Sequence, residues 1–257
     1  MKRVIVLLFT LCLPCWGSFT AVNSAHGTGD TASNTIATAA ASATAGNHIV
    51  VGITWADTTS TVNKVQDTAG NTYTEADATC LKHSATATQS TDIWLATNIT
   101  GNASNVVTAT FQTGQTPTFR RISIEQYSTT NSGSITFDHC GTGDGNGGSM
   151  TLSTFNTSQA SEVDFAFYST GNNGNPWTAG TNYTLRQTGT SGDSQTEDWI
   201  MSATQTGVAA PITATSPGTW VGSHGAFKEP ASGGSPSGFD KAKKLDQLET
   251  MLREQKP

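Results

Sequence analysis

Phe119-Arg120-Arg121-Ile122-Ser123-Ile124-Glu125-Gln126-Tyr127-Ser128 decides the fold class. Successive side chains of a strand point to opposite faces. Ile122 and Ile124 therefore share an inward face, while Arg121, Ser123, Glu125 and Tyr127 share an outward one. Asp92-Ile93-Trp94-Leu95 reads the same way, with Ile93 and Leu95 inward and Asp92 and Trp94 outward. In Val163-Asp164-Phe165-Ala166-Phe167-Tyr168 the Val and both Phe face in, leaving Asp164 and Tyr168 outside.

Comparable runs recur between breaks rich in Gly, Asn, Asp, Ser and Thr. They predict strands at His48–Trp55, Val62–Gln66, Thr72–Ala76, Asp92–Asn98, Val106–Phe111, Phe119–Ser128, Met150–Phe155, Glu162–Ser169, Tyr183–Gln187, Thr196–Ala203, Ile212–Thr215 and Val221–Lys228. No segment among them has a helical period, so the crossovers that parallel strands need are missing. A fixed repeat of about 20–50 residues, the mark of a solenoid or propeller, is also missing. The expected fold is all-β: an antiparallel two-sheet sandwich, jelly-roll or Ig-like, over residues 18–229.

Composition agrees. Only 12% of the 257 residues are charged, 45 are Thr, and 44 are Leu, Ile, Val or Phe. Disorder would require high charge and few β-branched or aromatic residues, and here charge is scarce. Thr, Val, Ile and aromatics suit a pleated surface. A helical bundle, a coiled coil, a multi-span membrane protein and a basic nucleic-acid binder are excluded, the last by the net charge of −6.

The two ends differ from the middle. Lys2 and Arg3 precede the apolar run Val4–Leu13, and Cys15-Trp16-Gly17 offers small residues at a cleavage site. Residues 1–17 thus read as a secretory signal peptide, too short to span a bilayer. Cleavage removes Cys12 and Cys15, and the remaining Cys80 and Cys140 are expected to form one disulfide in an exported chain. Residues 230–238, rich in Gly, Ser and Pro, read as a flexible linker. Residues 239–257 read as an amphipathic helical tail. Its Leu245, Leu248 and Leu252 fall on one face, available for self-association or a partner.

Val65-Gln66-Asp67-Thr68-Ala69-Gly70-Asn71-Thr72-Tyr73 reads as a hairpin, in which Gly70 or Asn71 takes positive φ and Asp67 holds amides across the turn. The Asp67-x-x-Gly70-Asn71-x-Tyr73 segment resembles one in a group of secreted bacterial β-sandwich domains. So do the strand His48–Ile53, the pair Ile93-Trp94, the segments Ile124–Tyr127 and Tyr183–Arg186, the pair Glu197-Asp198 and the closing Gly225-Ala226-Phe227. The resemblance covers roughly residues 22–228. It implies a jelly-roll or Ig-like sandwich of extracellular or cell-surface proteins, and no particular activity.

Chemical motifs are sparse. No Gly-x-Ser-x-Gly occurs, and His26, His48, His83, His139 and His224 are scattered. Glu125, Glu162, Asp164, Glu197 and Asp198 are the strand acids from which a glycosidase pair would have to come. Asp138, Asp144 and Asn146 flank or occupy the Gly-rich run Gly141–Gly148 and form a weak Ca²⁺ candidate. No cofactor is implied. Trp94, Tyr127 and Tyr168 on outer faces, with Trp177 in a Gly/Asn/Pro loop, are the candidate ligand-binding residues, because sugars stack on exposed rings beside polar groups.

The sequence therefore predicts a non-catalytic module, secreted, periplasmic or at the cell surface. Its expected partner is a polysaccharide or cell-surface component, in an adhesive or carbohydrate-binding role, with no nucleic acid and no transmembrane segment in the mature chain. The alternatives are a structural subunit of a surface layer or fibre, assembled through the tail or strand edges, and a glycan-active hydrolase.

Overall fold

The computed structural model describes residues 18–215 and 218–231. Over these the chain is all-β, with antiparallel sheets and a single 3-10 turn at Ala78–Cys80. The signal segment, the helical tail and all of the linker beyond residue 231 lie outside the described residues. Among the described residues no helix is long and apolar enough to cross a membrane.

The strands form two units. The first contains β1 (Phe19–Gly29), β2 (Thr35–Ala37), β3 (Ala41–Ala43), β4 (His48–Ala56), β5 (Val62–Asp67), β6 (Thr74–Glu75), β7 (Lys82–Ser84), β8 (Gln89–Ala96), β9 (Asn102–Asn105), β10 (Val107–Phe111) and β11 (Thr118–Thr129). Its large sheet runs β1-β11-β4-β8-β6, with β7 also on β8; its small sheet runs β2-β10-β5, and β3 pairs with β9. The second contains β12 (Thr136–Asn146), β13 (Ser149–Met150), β14 (Glu162–Thr170), β15 (Trp177–Thr178), β16 (Thr184–Thr188), β17 (Ser194–Met201), β18 (Ile212–Ala214) and β19 (Thr219–Lys228). Its large sheet runs β12-β19-β14-β17-β16 and its small sheet β13-β18-β15. In the second unit an isolated bridge between Phe155 and Val208 takes the place of the β3–β9 pair of the first.

One topology is thus used twice. The sequence echoes the repeat in four places. Gly27-Thr28-Gly29-Asp30 matches Gly141-Thr142-Gly143-Asp144, and Thr68-Ala69-Gly70-Asn71-Thr72-Tyr73-Thr74 matches Thr178-Ala179-Gly180-Thr181-Asn182-Tyr183-Thr184. Thr91-Asp92-Ile93-Trp94 matches Thr196-Glu197-Asp198-Trp199, and Val107-Thr108-Ala109-Thr110 matches Ile212-Thr213-Ala214-Thr215. The repeated glycines have a shared steric reason. A Cβ on Gly27 would collide with the Ala37 carbonyl oxygen, and one on Gly141 with that of Ser153. Both first strands of the units, β1 and β12, are Gly-rich and lack apolar alternation, so pattern reading passes over them.

Each unit closes its own core between its two sheets. In the first, Ile49, Val51, Ile53, Trp55, Ile122 and Ile124 meet Ile36, Val65, Val107 and Phe111. In the second, Tyr168 and Trp220 meet Met150, Ile212 and Ala214. A third core joins the units, because the large sheets pack face to face. Phe19, Val50, Ile93, Leu95 and Tyr127 of the first meet Val163, Phe165, Phe167 and Phe227 of the second. Gly52 allows the close approach, since a Cβ there would sit 2.5 Å from Phe167 Cγ. Four sheet layers result, with both faces of the two inner layers covered.

This arrangement corrects the face assignments. Asp92 and Trp94 face the small sheet of their unit, and Arg121, Ser123, Glu125 and Tyr127 face the other unit; all six are buried. Asp164 and Tyr168 lie within the second unit's own core and are also buried. The alternation was real, but it separated two interiors rather than an interior from solvent.

Polar ties cross the interface. Arg121 donates through Nε to Asp193 Oδ1 and Oδ2, 2.9 Å each, and through Nη2 to Asp193 as well. Arg121 Nη2 also reaches Asp30 at 2.8 Å. Tyr127 donates its hydroxyl to Asp198 Oδ2 at 2.9 Å. The expected disulfide, Cys80–Cys140, likewise joins the units, with its Cα atoms 5.5 Å apart. Both ends of the described chain gather near the end of β11: Thr130 donates its amide to Ser18 O at 3.2 Å, and Asn131 donates its own to Glu229 Oε1 at 2.8 Å.

The disulfide closes a loop across a sequence separation of 60, which corresponds to roughly 4 kcal/mol of unfolded-state entropy. Replacing both cysteines by alanine should lower the unfolding free energy by about that amount while leaving the strand content intact. Urea denaturation followed by far-UV circular dichroism checks both.

Candidate functional site

Two clefts open along the seam between the units. Among the described residues only two large apolar side chains are strongly exposed, Phe119 at 55% and Val22 at 46%, and each lines one of these clefts. Ligand sites are concave and set apolar side chains beside a few polar groups.

The first cleft encloses about 520 Å³, within the range of roughly 300–1,000 Å³ typical of ligand pockets. It sits where corresponding strand ends of the two units converge: Ala56 closing β4 and Thr170 closing β14, Gln89 opening β8 and Asp193 preceding β17, Thr118 opening β11 and Thr219 opening β19. Phe119 rises from its rim. The register of β11 against β4 slips between Thr118 and Arg121, which places a bulge at Phe119 and Arg120. Arg120 turns inward and donates to Thr35 O at 2.8 Å and Thr31 O at 2.5 Å. Phe119 is thereby turned out, with φ at 45°. Thr88, also on the cleft wall, has φ of 52°. A non-glycine residue held there costs about 1–3 kcal/mol, and such residues cluster at functional sites. Gln89 Oε1 is buried at this cleft without a hydrogen-bond donor. The lining is mostly hydroxyl and amide, and its one ionic group, Asp193, is already engaged by Arg121.

The second cleft, about 320 Å³, lies at the edge where β1 meets β16. Ser24 Oγ donates to Gln187 at 3.1 Å, and His26 Nε2 lies 2.6 Å from Thr190 Oγ1. Its inner wall carries Glu125 and Arg186. Arg186 Nε donates to Asp198 Oδ1 at 2.8 Å. Glu125 accepts one bond, from Thr196 Oγ1 at 2.9 Å. Burial pushes its carboxyl up to about 8, with the neighbouring Asp198 adding to the effect.

Other acids are buried inside the units. Asp92 accepts from Trp94 Nε1 at 2.7 Å and from the Ile93 amide at 2.8 Å, and burial pushes it up to about 8. Glu197, its counterpart in the repeat, accepts from the Gly180 amide at 3.1 Å and is also pushed by burial up to about 8. Asp164 accepts from Tyr183 at 2.5 Å and sits 2.9 Å from His224 Nδ1. Asp198, the sequence neighbour of Glu197, faces the other unit. No two of these carboxyls flank an open cleft in the manner of a glycosidase pair.

The predicted ligand residues are not brought together. Trp94, Tyr127 and Tyr168 present no ring to solvent, at 8%, 0% and 0% exposure. Trp177 is half-buried and donates Nε1 to Gly192 O at 3.1 Å. The run read as a Ca²⁺-binding loop is largely strand β12. Asp138 there accepts from the Ser158 amide and Oγ at 2.8 and 2.7 Å, whereas Asp144 pairs with Lys82 at 2.8 Å. Along a strand, residues 138 and 144 lie roughly 20 Å apart, and Asn146 is exposed beyond them. Among the described residues no three His, Cys, Asp or Glu converge as a metal site. Phe119 escaped sequence reading because nothing in Phe-Arg-Arg announces a bulge that reverses the facing of two residues.

Comparison with protein-family models, with curated proteins and with solved structures found no match.

The buried acids set a pH dependence. Unfolded carboxyls ionise near 4, whereas Asp92, Glu125 and Glu197 keep their protons in the folded state up to about 8. The folded state binds more protons, so stability falls as pH rises through that interval. His48, lowered by burial from 6.5 to about 4, opposes this only below 6.5. Between pH 6.5 and 8 the unfolding free energy should therefore decline. Glu197→Gln should make the decline shallower by about 1.4 kcal/mol per pH unit. Denaturant titrations at the two pH values measure it, and an unchanged slope would show that Glu197 is ionised in the fold.

Proposed function

We propose that the chain is an exported, non-catalytic β-sandwich module that binds carbohydrate through the Phe119 cleft. The strand order within each unit supports the finer reading of a jelly roll over an Ig-like sandwich: first, last, third and sixth major strands in one sheet, second, seventh and fourth in the other. The resemblance to secreted bacterial sandwich domains and the signal-like start support export. The disulfide is consistent with an oxidising compartment.

One observation carries the binding reading. An aromatic ring is held outward, on a strained backbone, over a cleft of hydroxyls and amides. A pyranose offers a C–H face for the ring and hydroxyls for the rest. Its hydroxyl protons also suit Gln89 Oε1, whose burial without a donor costs about 1–3 kcal/mol. The cleft offers no unengaged charge, which favours a neutral ligand. The candidate platform moves from Trp94, Tyr127 and Tyr168, which are buried, to Phe119.

A glycan array followed by calorimetry tests this. Wild type should bind at least one neutral glycan, and Phe119→Ala should weaken it about tenfold or more, which is about 1.4 kcal/mol. Because Phe119 is exposed, this variant should keep the wild-type unfolding midpoint. Wild-type silence across the array, or full binding by the variant, would sink the proposal.

A further inference from the structure

The edge cleft between β1 and β16 differs in chemistry from the Phe119 cleft. Its unengaged polar atoms are the two terminal nitrogens of Arg186 and one carboxyl oxygen of Glu125. Arg186 uses Nε on Asp198, and its two terminal nitrogens make no hydrogen bond within the described residues. Glu125 is 1% exposed and lines the cleft, with one carboxyl oxygen bonded to Thr196 and the other without a protein partner. The remaining polar side chains are engaged: Asn23 Nδ2 donates to Ser42 O at 2.9 Å, and Ser24 donates to Gln187. Exposed Val22 and half-buried Leu185 form apolar walls beside them.

We propose that this cleft is a second ligand site that takes a carboxylate, specifically the carboxylate of a uronic-acid residue. The planar guanidinium of Arg186 presents its terminal nitrogens as a fork, the geometry that clasps a carboxylate through two parallel bonds. Asp198 holds that guanidinium in place through Nε at 2.8 Å. The Glu125 hydroxyl donates a further bond to the same ligand carboxylate. Val22 and Leu185 meet the C–H face of the sugar ring. The small volume of about 320 Å³ suits a single monosaccharide unit. An extended peptide would need the free edge of β1, and part of that edge is taken: Ala39 donates its amide to His26 O at 2.8 Å.

Binding is coupled to a proton. The groups facing Glu125 are Asp198 and Thr196 on β17, Arg186 on β16, Ser24 on β1, and Tyr127 on its own strand. Glu125 carries its proton below about 8, and the bound carboxylate accepts it as a hydrogen bond. Above that pH the ionised Glu125 repels the ligand, so affinity falls. The choice of a sugar leans on the carbohydrate reading above, but the site does not involve Phe119, so the two proposals can fail separately.

The test is an NMR titration of the full chain with D-galacturonate, methyl galactoside and N-acetylalanine in parallel. Galacturonate at millimolar concentration should shift the amides of Ala21–Ser24 and Leu185, in wild type and in Phe119→Ala alike. Its affinity should drop about tenfold in Arg186→Lys, which keeps the charge and loses the fork. Raising the pH to 9 should weaken wild type, and Glu125→Gln, which retains a donor, should bind equally at pH 7 and 9. Equal binding of methyl galactoside would replace the carboxylate assignment, and tighter binding of N-acetylalanine would replace the sugar by a peptide terminus. No shift at these amides would overturn the site.

Discussion

The face-to-face contact of the two large sheets is the constraint on which the rest depends. It buries the second face of strands whose first face already covers a core. β4, β8, β14 and β19 are accordingly buried along almost their whole length. Side chains there must either fill space, as Phe167 does over Gly52, or find a polar partner in the opposite unit. Arg121 with Asp193, Tyr127 with Asp198 and Glu125 with Thr196 are those partners. Removing one member of such a buried pair leaves the other uncompensated, at roughly 3–5 kcal/mol for a charge. The contact is thus specific as well as apolar.

The interface also has the character of a fused dimer. β4 of one unit lies against β14, its own counterpart, while β1 meets β16 at one edge and β12 meets β7 and the 3-10 turn at the other. This exchange of like parts is what a two-fold axis produces in a pair of identical subunits. Covalent fusion releases the two edges from identity. At one edge Cys140 of β12 is bonded to Cys80; at the other, the matching position on β1 is His26, and the cleft of Glu125 and Arg186 opens beside it. The Phe119 cleft lies where the like strand ends meet, yet only the first unit supplies an outward ring.

Much of the fold was legible in the sequence, and its faces were not. The predicted strands from His48–Trp55 to Val221–Lys228 have observed counterparts shifted by a few residues at their ends, because apolar and Thr-rich runs between turn residues suffice to mark them. Seven observed strands have no predicted counterpart: the short β2, β3, β7, β9 and β15, and the long β1 and β12, where glycines needed for close backbone passage replace the apolar signal. Faces failed because alternation reports two environments and does not say that one of them is water. Asp92 beside Trp94 suggested a wet face, whereas Asp92 is the buried acceptor of the Trp94 indole. The uninterrupted His48-Ile49-Val50-Val51-Gly52-Ile53 was the available hint, since strands covered on both sides lose their alternation. The duplication escaped because its period exceeds that of common repeats and its echoes are short and polar. The disulfide needed only a count of cysteines.

The hydrogen bonds that draw Ser18 and Glu229 together beside Thr130 and Asn131 have a consequence for presentation. They sit at the far end of β11 from Phe119, so the full length of that strand, roughly 35 Å, separates them from the Phe119 cleft. Any chain continuing past either described end departs from one pole, and the cleft occupies the opposite pole. A tether attached there would act like the handle of a spoon, holding the bowl away from whatever surface anchors it.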